Sequence, residues 1–489
     1  MRYRHYLRSR YTQISYYLGL IALVVGTVLL LPLVALVAYP AEWQQAGGFL
    51  LPSLPCLGLG AWLWRYRDRA QESLTLVEGA VVVLLGWILA IVVSAVPYMT
   101  VAHLPWTLAL FEATSGWTTT GLSVVDVRQM SALVLLLRSL TQLFGGAGFA
   151  IIAVSAIATP TAIGFTTAEG RGQQLVPNLH HSAKLVLAIY SGYVVLGIGA
   201  LRLAGMGWFD AINHAFCALS TGGFSTRVDS IGSWQSASVD VATLILMAWG
   251  SLNFLTLYLA LRGRWRAFRR NSELRLQLTL LLGGSLALWL GVTADLYPWP
   301  GGLQSAVFGA MTALSTTGFA TVSYDAWNGF GGWLLICLMI IGGGAGSTAG
   351  GLKLFRVAVL LRSLVWQCRR WSLPPAAVTT PSIWQGEQRR FLDATDMAPL
   401  GLFLALYLLV LGVGTAILTA YGYPLQDSLF EFVSSLSTVG LSAGITSPEA
   451  PAGVLWVEIV GMVLGRLEFF PVIVGVMRLC QDGAVWLRL

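Results

Sequence analysis

Four short segments of this 489-residue chain place a threonine two positions before a glycine in matching surroundings. They read FEATSGWTTTGLS (111–123), NHAFCALSTGGFS (213–225), FGAMTALSTTGFA (308–320) and FEFVSSLSTVGLS (430–442). The glycines are Gly121, Gly223, Gly318 and Gly440, and the threonines are Thr119, Thr221, Thr316 and Thr438. A hydroxyl residue precedes each threonine (Thr118, Ser220, Ser315, Ser437), and Leu or Phe follows each glycine. One T-x-G arises readily by chance; four in register do not. These residue types suit one kind of chemistry. A potassium ion leaves water only where a ring of oxygens replaces its hydration shell, and backbone carbonyls can supply that ring. Successive carbonyls turn inward only with unusual dihedrals, which glycine adopts without a Cβ penalty. Close packing of membrane helices also draws on Ser, Thr and Gly, but packing does not require the same offsets in four places.

The elements that must hold these segments are apolar helices. Hydrophobic residues make up 56% of the chain and charged ones 10%, against about a quarter charged in ordinary soluble domains. A spanning helix needs about 20 mostly apolar residues. Ten stretches qualify: 14–39, 47–64, 74–100, 132–158, 184–204, 239–261, 276–297, 331–365, 397–421 and 453–480. Each T-x-G lies between two of them, in the order span, short helix, T-x-G, loop, span. That order predicts an all-α polytopic membrane protein with four pseudo-symmetric repeats around one pore, after an extra N-terminal pair of spans. The boundaries follow as 1–70 for that pair, then 71–165, 166–270, 271–368 and 369–489 for the four repeats. A short helix ending at each segment directs a partially negative carbonyl terminus toward the path, which favours cations and disfavours anions.

Basic residues orient the bundle, because Lys and Arg accumulate in cytoplasmic loops. Arg2, Arg4, Arg8 and Arg10, Arg65, Arg67 and Arg69, six arginines over 262–275, and Arg369, Arg370, Arg389 and Arg390 fall on one side. Both termini are therefore expected in the cytoplasm. The net charge of +7 is explained by an anionic lipid surface and needs no nucleic acid. Cys56, Cys217, Cys337, Cys368 and Cys480 show no metal-ligand spacing, and His5, His103, His180, His181 and His214 read as solvated or interfacial. The longest polar stretch, 366–396, is too short to bury a core of its own.

The four repeats resemble those of the Trk/Ktr/HKT superfamily of potassium transporters over about residues 70–489. The extra N-terminal pair makes the chain more similar to the bacterial Trk translocating subunit than to the eight-span Ktr type. The resemblance implies a potassium-binding filter at Thr119, Thr120 and Gly121; Thr221, Gly222 and Gly223; Thr316, Thr317 and Gly318; and Thr438, Val439 and Gly440. Some sodium-preferring plant relatives carry serine at the first filter glycine, where this chain keeps Gly121. The longer TVGYG signature of tetrameric channels is missing, so less strict selectivity is expected. The resemblance further implies a homodimer in the bacterial inner membrane and a cytosolic nucleotide-binding ring responsive to NAD or ATP as regulator. No cofactor is expected on this chain, and no enzymatic activity, since no nucleophile and base set or metal constellation stands out.

Two features remain. The run IIGGGAGSTAGGLK (340–353) should break the second span of the third repeat, because glycine is poor in helix interiors. Packing through small residues is the competing explanation; a nucleotide fingerprint is excluded by the missing strand and βαβ unit. The family places a gating loop there, with Gly344, Gly346, Ser347, Thr348 and Gly350 at its centre. Arg466 lies in the last apolar stretch, where an ionisable group is costly. An ion pair with Glu458 or Glu468 could hold it, or its charge could face the path as the resemblance implies. Glu112 and Glu431, each nine residues before a filter glycine, could attract cations or serve packing and capping. Lys353 could anchor the inner face. The sequence also leaves open a proton- or sodium-coupled secondary transporter, whose sites use broken helices as well.

Overall fold

The computed structural model describes residues 2–66, 75–148, 179–374, 379–385, 388–392 and 394–488. The N-terminal pair consists of Arg2–Leu30 and Ala46–Trp64. They approach closely because a Cβ on Gly60 would stand only 2.8 Å from the carbonyl oxygen of Gly19, the close backbone contact that small residues permit. Arg10, read as a loop charge, is instead buried within the first helix and pairs with Glu78 at 2.9 Å. Glu78 also closes a capping box with Thr75 at the start of Leu76–Thr100.

Four units follow the same plan. Their leading helices are Leu76–Thr100, Leu179–Leu203, Ser272–Leu288 (continued by a π turn, Trp289–Thr293) and Ala394–Ala420. Their short helices are Trp106–Trp117, Trp208–Leu219, Gly301–Leu314 and Leu425–Leu436, each running directly into its T-x-G segment. The expected boundaries near 70 and 165 fall outside the described residues, and the one at 368 falls inside helix Leu354–Trp371.

The trailing helices depart from the ten-span expectation. Every one of them is interrupted within the described residues. In the first repeat Ala132–Leu143 gives way to a π turn at Phe144–Gly148, and the remainder of the predicted 132–158 span lies outside the described residues. In the second, Ala237–Ser251 breaks at Leu252 before Phe254–Leu261. In the third, Gly329–Ile341 stops at Gly342 and the chain resumes as Leu354–Trp371. In the fourth, Ala452–Leu467 and Phe470–Arg488 are bent by 106° about left-handed Glu468 and Phe469. Among the described residues, six helices are long and apolar enough to cross a membrane, or seven if the bent pair counts as one span. The third break is the one expected from the glycine run; at the others apolar residues on both sides outweigh the few polar ones, so hydropathy reads each span as whole.

The polar stretch before the fourth unit holds a two-stranded antiparallel hairpin, Ser382–Gln385 with Gln388–Phe391, in which Ile383 pairs with Arg390. It is the one described departure from an all-helical fold. Ile383 and Leu392 bury against Val359 and Leu400, a satellite of the main core.

Candidate functional site

Each short helix ends in the same way. Thr119, Thr221, Thr316 and Thr438 all adopt left-handed backbone, with φ of 56°, 53°, 54° and 53°. Their N–H groups donate three residues back, to Gly116, Ala218, Ala313 and Ser435, at 3.1–3.2 Å. The next N–H groups, of Thr120, Gly222, Thr317 and Val439, donate five residues back at 2.8–3.0 Å. This is the Schellman cap, in which the left-handed position is usually glycine. A β-branched residue there is costly, roughly 1–3 kcal/mol each, and such strain collects at functional sites. Gly121, Gly223, Gly318 and Gly440 follow at φ of 94°, 77°, 82° and 95°.

The four segments close on one another in rotation. A Cβ on Gly121 would run into the carbonyl oxygen of Gly222, one on Gly223 into that of Thr317, one on Gly318 into that of Val439, and one on Gly440 into that of Thr120. First leans on second, second on third, third on fourth, and fourth on first. All twelve residues predicted for the filter are thus brought to one place, and the four threonines are buried. The hydroxyls of Thr119 and Thr438 are buried without a hydrogen-bond partner, an unusual state for a polar group unless water or an ion meets it.

Nine residues before each glycine, the short helix braces the chain beyond it. Glu112 accepts from Ser123 Oγ at 3.1 Å and from the Val124 N–H at 3.1 Å, and pairs with Arg138 at 2.7 Å. His214 Nε2 meets Ser225 Oγ at 2.9 Å. Glu431 accepts from Ser442 Oγ at 2.7 Å and from the N–H groups of Ala443 and Thr446 at 2.6 and 3.0 Å. In the third repeat the position is Gly309, where Trp327 takes the space a side chain would fill. Glu112 and Glu431 are therefore bracing groups. His214, read from sequence as solvated or interfacial, is fully buried, between Trp234 and Phe319.

Sequence reasoning missed two buried residues on helix Ala132–Leu143. Arg138 contacts Glu112, donates to Ser123 Oγ at 2.9 Å and to the Ser225 carbonyl at 3.1 Å, and stacks on Phe224. Gln142 contacts the second T-x-G segment. Each is a polar residue inside an apolar run, a signal recognisable from the cost of burying such groups.

The glycine run forms an irregular loop, with positive φ at Gly342, Gly346, Gly351 and Lys353. It packs against three of the four T-x-G segments. Thr348 Oγ1, with one hydrogen to give, lies 2.8 Å from Gly250 O and 3.0 Å from Leu219 O; the Thr348 N–H also donates to Gly250 O at 3.2 Å, and Thr221 Oγ1 lies 3.2 Å from the Thr348 hydroxyl. The Gly350 N–H donates to Thr316 Oγ1 at 2.8 Å, and a Cβ on Gly350 would collide with Ser437 O and Thr438 Oγ1. Ser347 Oγ bonds back to Gly344 O at 2.6 Å, and the Gly346 carbonyl accepts from the Phe254 N–H at 3.3 Å. The Gly344 N–H donates to Ser251 O, the carbonyl at the second-repeat break. Arg466 reaches the loop from the far side: Nη1 donates to Thr348 O at 2.7 Å, and Nη2 to Gly145 O and Gly146 O at 2.5 and 2.6 Å. Glu468 pairs with Arg356, and Glu458 meets Thr446 Oγ1 at 3.1 Å. Lys353 Nζ donates to the Ala349 carbonyl within the loop.

The TrkH family model, described as a cation transport protein, matches residues 51–292 and 297–488. The Trk system potassium uptake protein TrkH of Salmonella typhimurium is 31% identical over 474 residues, covering 93% of this chain and 96% of that protein. An uncharacterized cation transporter of Methanocaldococcus jannaschii is 28% identical over 465 residues, 94% of each chain. The crystal structure of the potassium transporter TrkH from Vibrio parahaemolyticus superposes with a TM-score of 0.82 at 26% identity, covering 95% of this chain and 98% of that one. With the family model spanning most of its length, four capped T-x-G segments closing in rotation and a fold shared with a solved relative, this chain is a membrane protein of the TrkH family.

Proposed function

We propose that the chain takes up potassium across the bacterial inner membrane, through the ring of four T-x-G segments, under a gate formed by the glycine loop at 342–351 with Arg466. The observation that carries this reading is the rotational closure of four identically capped segments. It gathers backbone carbonyls of four repeats around one axis, where they can replace the hydration shell of a cation. Four helix ends add partial negative charge at the same place, and the unpartnered Thr119 and Thr438 hydroxyls offer further oxygens. Relatives carrying the name potassium uptake protein support potassium as the substrate.

The gate reading rests on the loop's contacts. Opening a path beneath the ring requires Thr348 to leave Leu219, Gly250 and Thr221, and Gly350 to leave Thr316. Each bond is worth about 1 kcal/mol net, so a few such losses fit a loop that a regulator can shift. Arg466 pins Thr348 to the first-repeat break and places a positive charge against cation passage.

The remaining parts of the proposal follow from charge and relationship. Both termini lie in the cytoplasm by the arginine distribution. The protein acts as a homodimer without a cofactor of its own and without enzymatic activity. A cytosolic nucleotide-binding ring responsive to NAD or ATP regulates it, docking near Arg369 and Arg370 at the end of helix Leu354–Trp371 and the hairpin arginines Arg389 and Arg390. Radioactive rubidium uptake into reconstituted vesicles, competed with potassium and sodium, tests the ion path. Potassium should compete better than sodium, and serine at Gly121 or Gly318 should erode that preference. Unchanged selectivity in serine variants of all four glycines would overturn it. Uptake that requires a pH or sodium gradient would instead show a coupled transporter.

A further inference from the structure

The position before each filter glycine is filled unequally, as Thr120, Gly222, Thr317 and Val439. In the first and third repeats the threonine hydroxyl stands 2.7 Å from a neighbouring hydroxyl, of Thr118 and of Ser315. The second repeat has no side chain there, and Ser220 Oγ donates back into its own helix, to Cys217 O at 3.2 Å. Gln142 arrives from the first repeat and occupies the space. A Cβ on Gly222 would overlap the Gln142 amide, whose Nε2 is the farthest of its three end atoms at 2.8 Å. Nε2 donates to the Gly222 carbonyl at 2.6 Å, and Oε1 accepts from the Phe224 N–H at 3.2 Å. The side chain is fully buried.

Resting on the filter reading above, we propose that Gln142 is a specificity-determining positioning residue that fixes the Gly222 carbonyl, in the quarter of the ring that lacks the threonine side chain of the first and third. The carbonyl it holds is the one that faces Gly121, so its tilt sets the spacing between two quarters. An amide is suited to the task because it presents a donor group and an acceptor group in a fixed plane. Here the two reach main-chain groups on either side of Gly223. Without that grip the Gly222 peptide can rotate, and a ring that adjusts inward accepts a smaller cation. A glutamine that only fills the core would show no such link to the ion. Gly222 and Gln142 are a matched pair: a threonine fits at 222 only if the amide is withdrawn, and it could then meet Ser220 as Thr317 meets Ser315.

The test uses the full chain in vesicles and reads rubidium uptake under potassium and sodium competition, with melting in detergent measured separately. Gln142→Ala should reduce potassium-over-sodium discrimination about tenfold, the change one hydrogen bond can carry, while rubidium still permeates. Gln142→Glu keeps the acceptor for Phe224 but loses the donor, and should fail similarly. Gly222→Thr alone should be defective through collision, and Gly222→Thr with Gln142→Ala should recover most of the discrimination. If Gln142→Ala does not assemble, the double variant decides: no better assembly or selectivity than either single change overturns the pairing. If discrimination in both Gln142 variants stays within about twofold while Gly223→Ser alters it, the filter reading stands and the role of Gln142 falls. If neither alters it, the filter reading itself falls.

Discussion

Gly440 rests against the carbonyl of Thr120, the contact by which the last repeat of the chain closes onto the first across more than three hundred residues of sequence. Because each quarter of the ring leans on the next, no quarter can change its backbone alone. Gly422 provides a comparison, since it too has positive φ, at 97°, but nothing lies near its missing Cβ.

Gly440→Ala should therefore damage ion discrimination and assembly, whereas Gly422→Ala should cost about 1 kcal/mol of backbone strain and leave selectivity intact. Detergent melting and ion competition measure the two. Equal effects at both sites would mean that ring closure contributes nothing beyond local strain.

Arg466→Ala should raise potassium flux, because the carbonyls of Thr348, Gly145 and Gly146 lose their common donor and a positive charge leaves the path. Arg466→Lys, a point charge without the planar fork, should fall between. Initial uptake rates at equal protein density decide it. Poor assembly that is rescued by a charge swap with Glu468 or Glu458 would assign Arg466 to structure.

Short deletions within 344–350 should leave a folded protein with raised basal uptake and weaker dependence on a cytosolic regulator. Thr348→Val is the milder version. It removes the hydroxyl's contacts to Leu219, Gly250 and Thr221 while keeping the volume and the backbone bond to Gly250. Loss of assembly together with loss of uptake, in deletions of several lengths, would show that the glycines serve helix contact.

Arg138→Met should destabilise strongly, by roughly 3–5 kcal/mol, because it leaves Glu112 buried without its countercharge. Combining it with Glu112→Gln should restore part of the loss. Melting temperatures in one detergent, taken as a double-mutant cycle, measure the coupling. A coupling near zero would place the stabilising effect of Arg138 in its stacking on Phe224 instead.

Glu458→Gln should be tolerated better than Glu431→Gln. The Thr446 hydroxyl lies 2.5 Å from Glu431 and 3.1 Å from Glu458 and has one hydrogen to give; an amide at 458 supplies its own. At 431 an amide loses one of the two acceptor oxygens that hold Ser442, Ala443 and Thr446. The ranking is read from melting of the two variants, and a reversed order refutes the argument.

The T-x-G repeats and the glycine run were legible in the sequence because both depend on residue types with few substitutes, a glycine at positive φ above all. The interruptions at Ser251–Phe254 and Leu467–Phe470 were not, since each carries only one or two polar residues, Ser251 and Asn253 or Glu468, within long apolar flanks, and hydropathy averages over the bend. Arg138 and Gln142 were absorbed into a predicted span for the same reason. His214 was misread because its place was judged by chain context, when its offset from Gly223 equals that of Glu112 from Gly121.

The rotational contact of four unlike quarters also has a hereditary side. A pore assembled from identical subunits receives every substitution four times over, so a change helpful in one position is imposed on the other three. Here a single reading frame encodes each quarter separately. One carries glycine at 222 beside a glutamine from a neighbouring helix, while another carries valine at 439. Such a ring can be retuned one quadrant at a time, in steps too small to abolish passage of the ion.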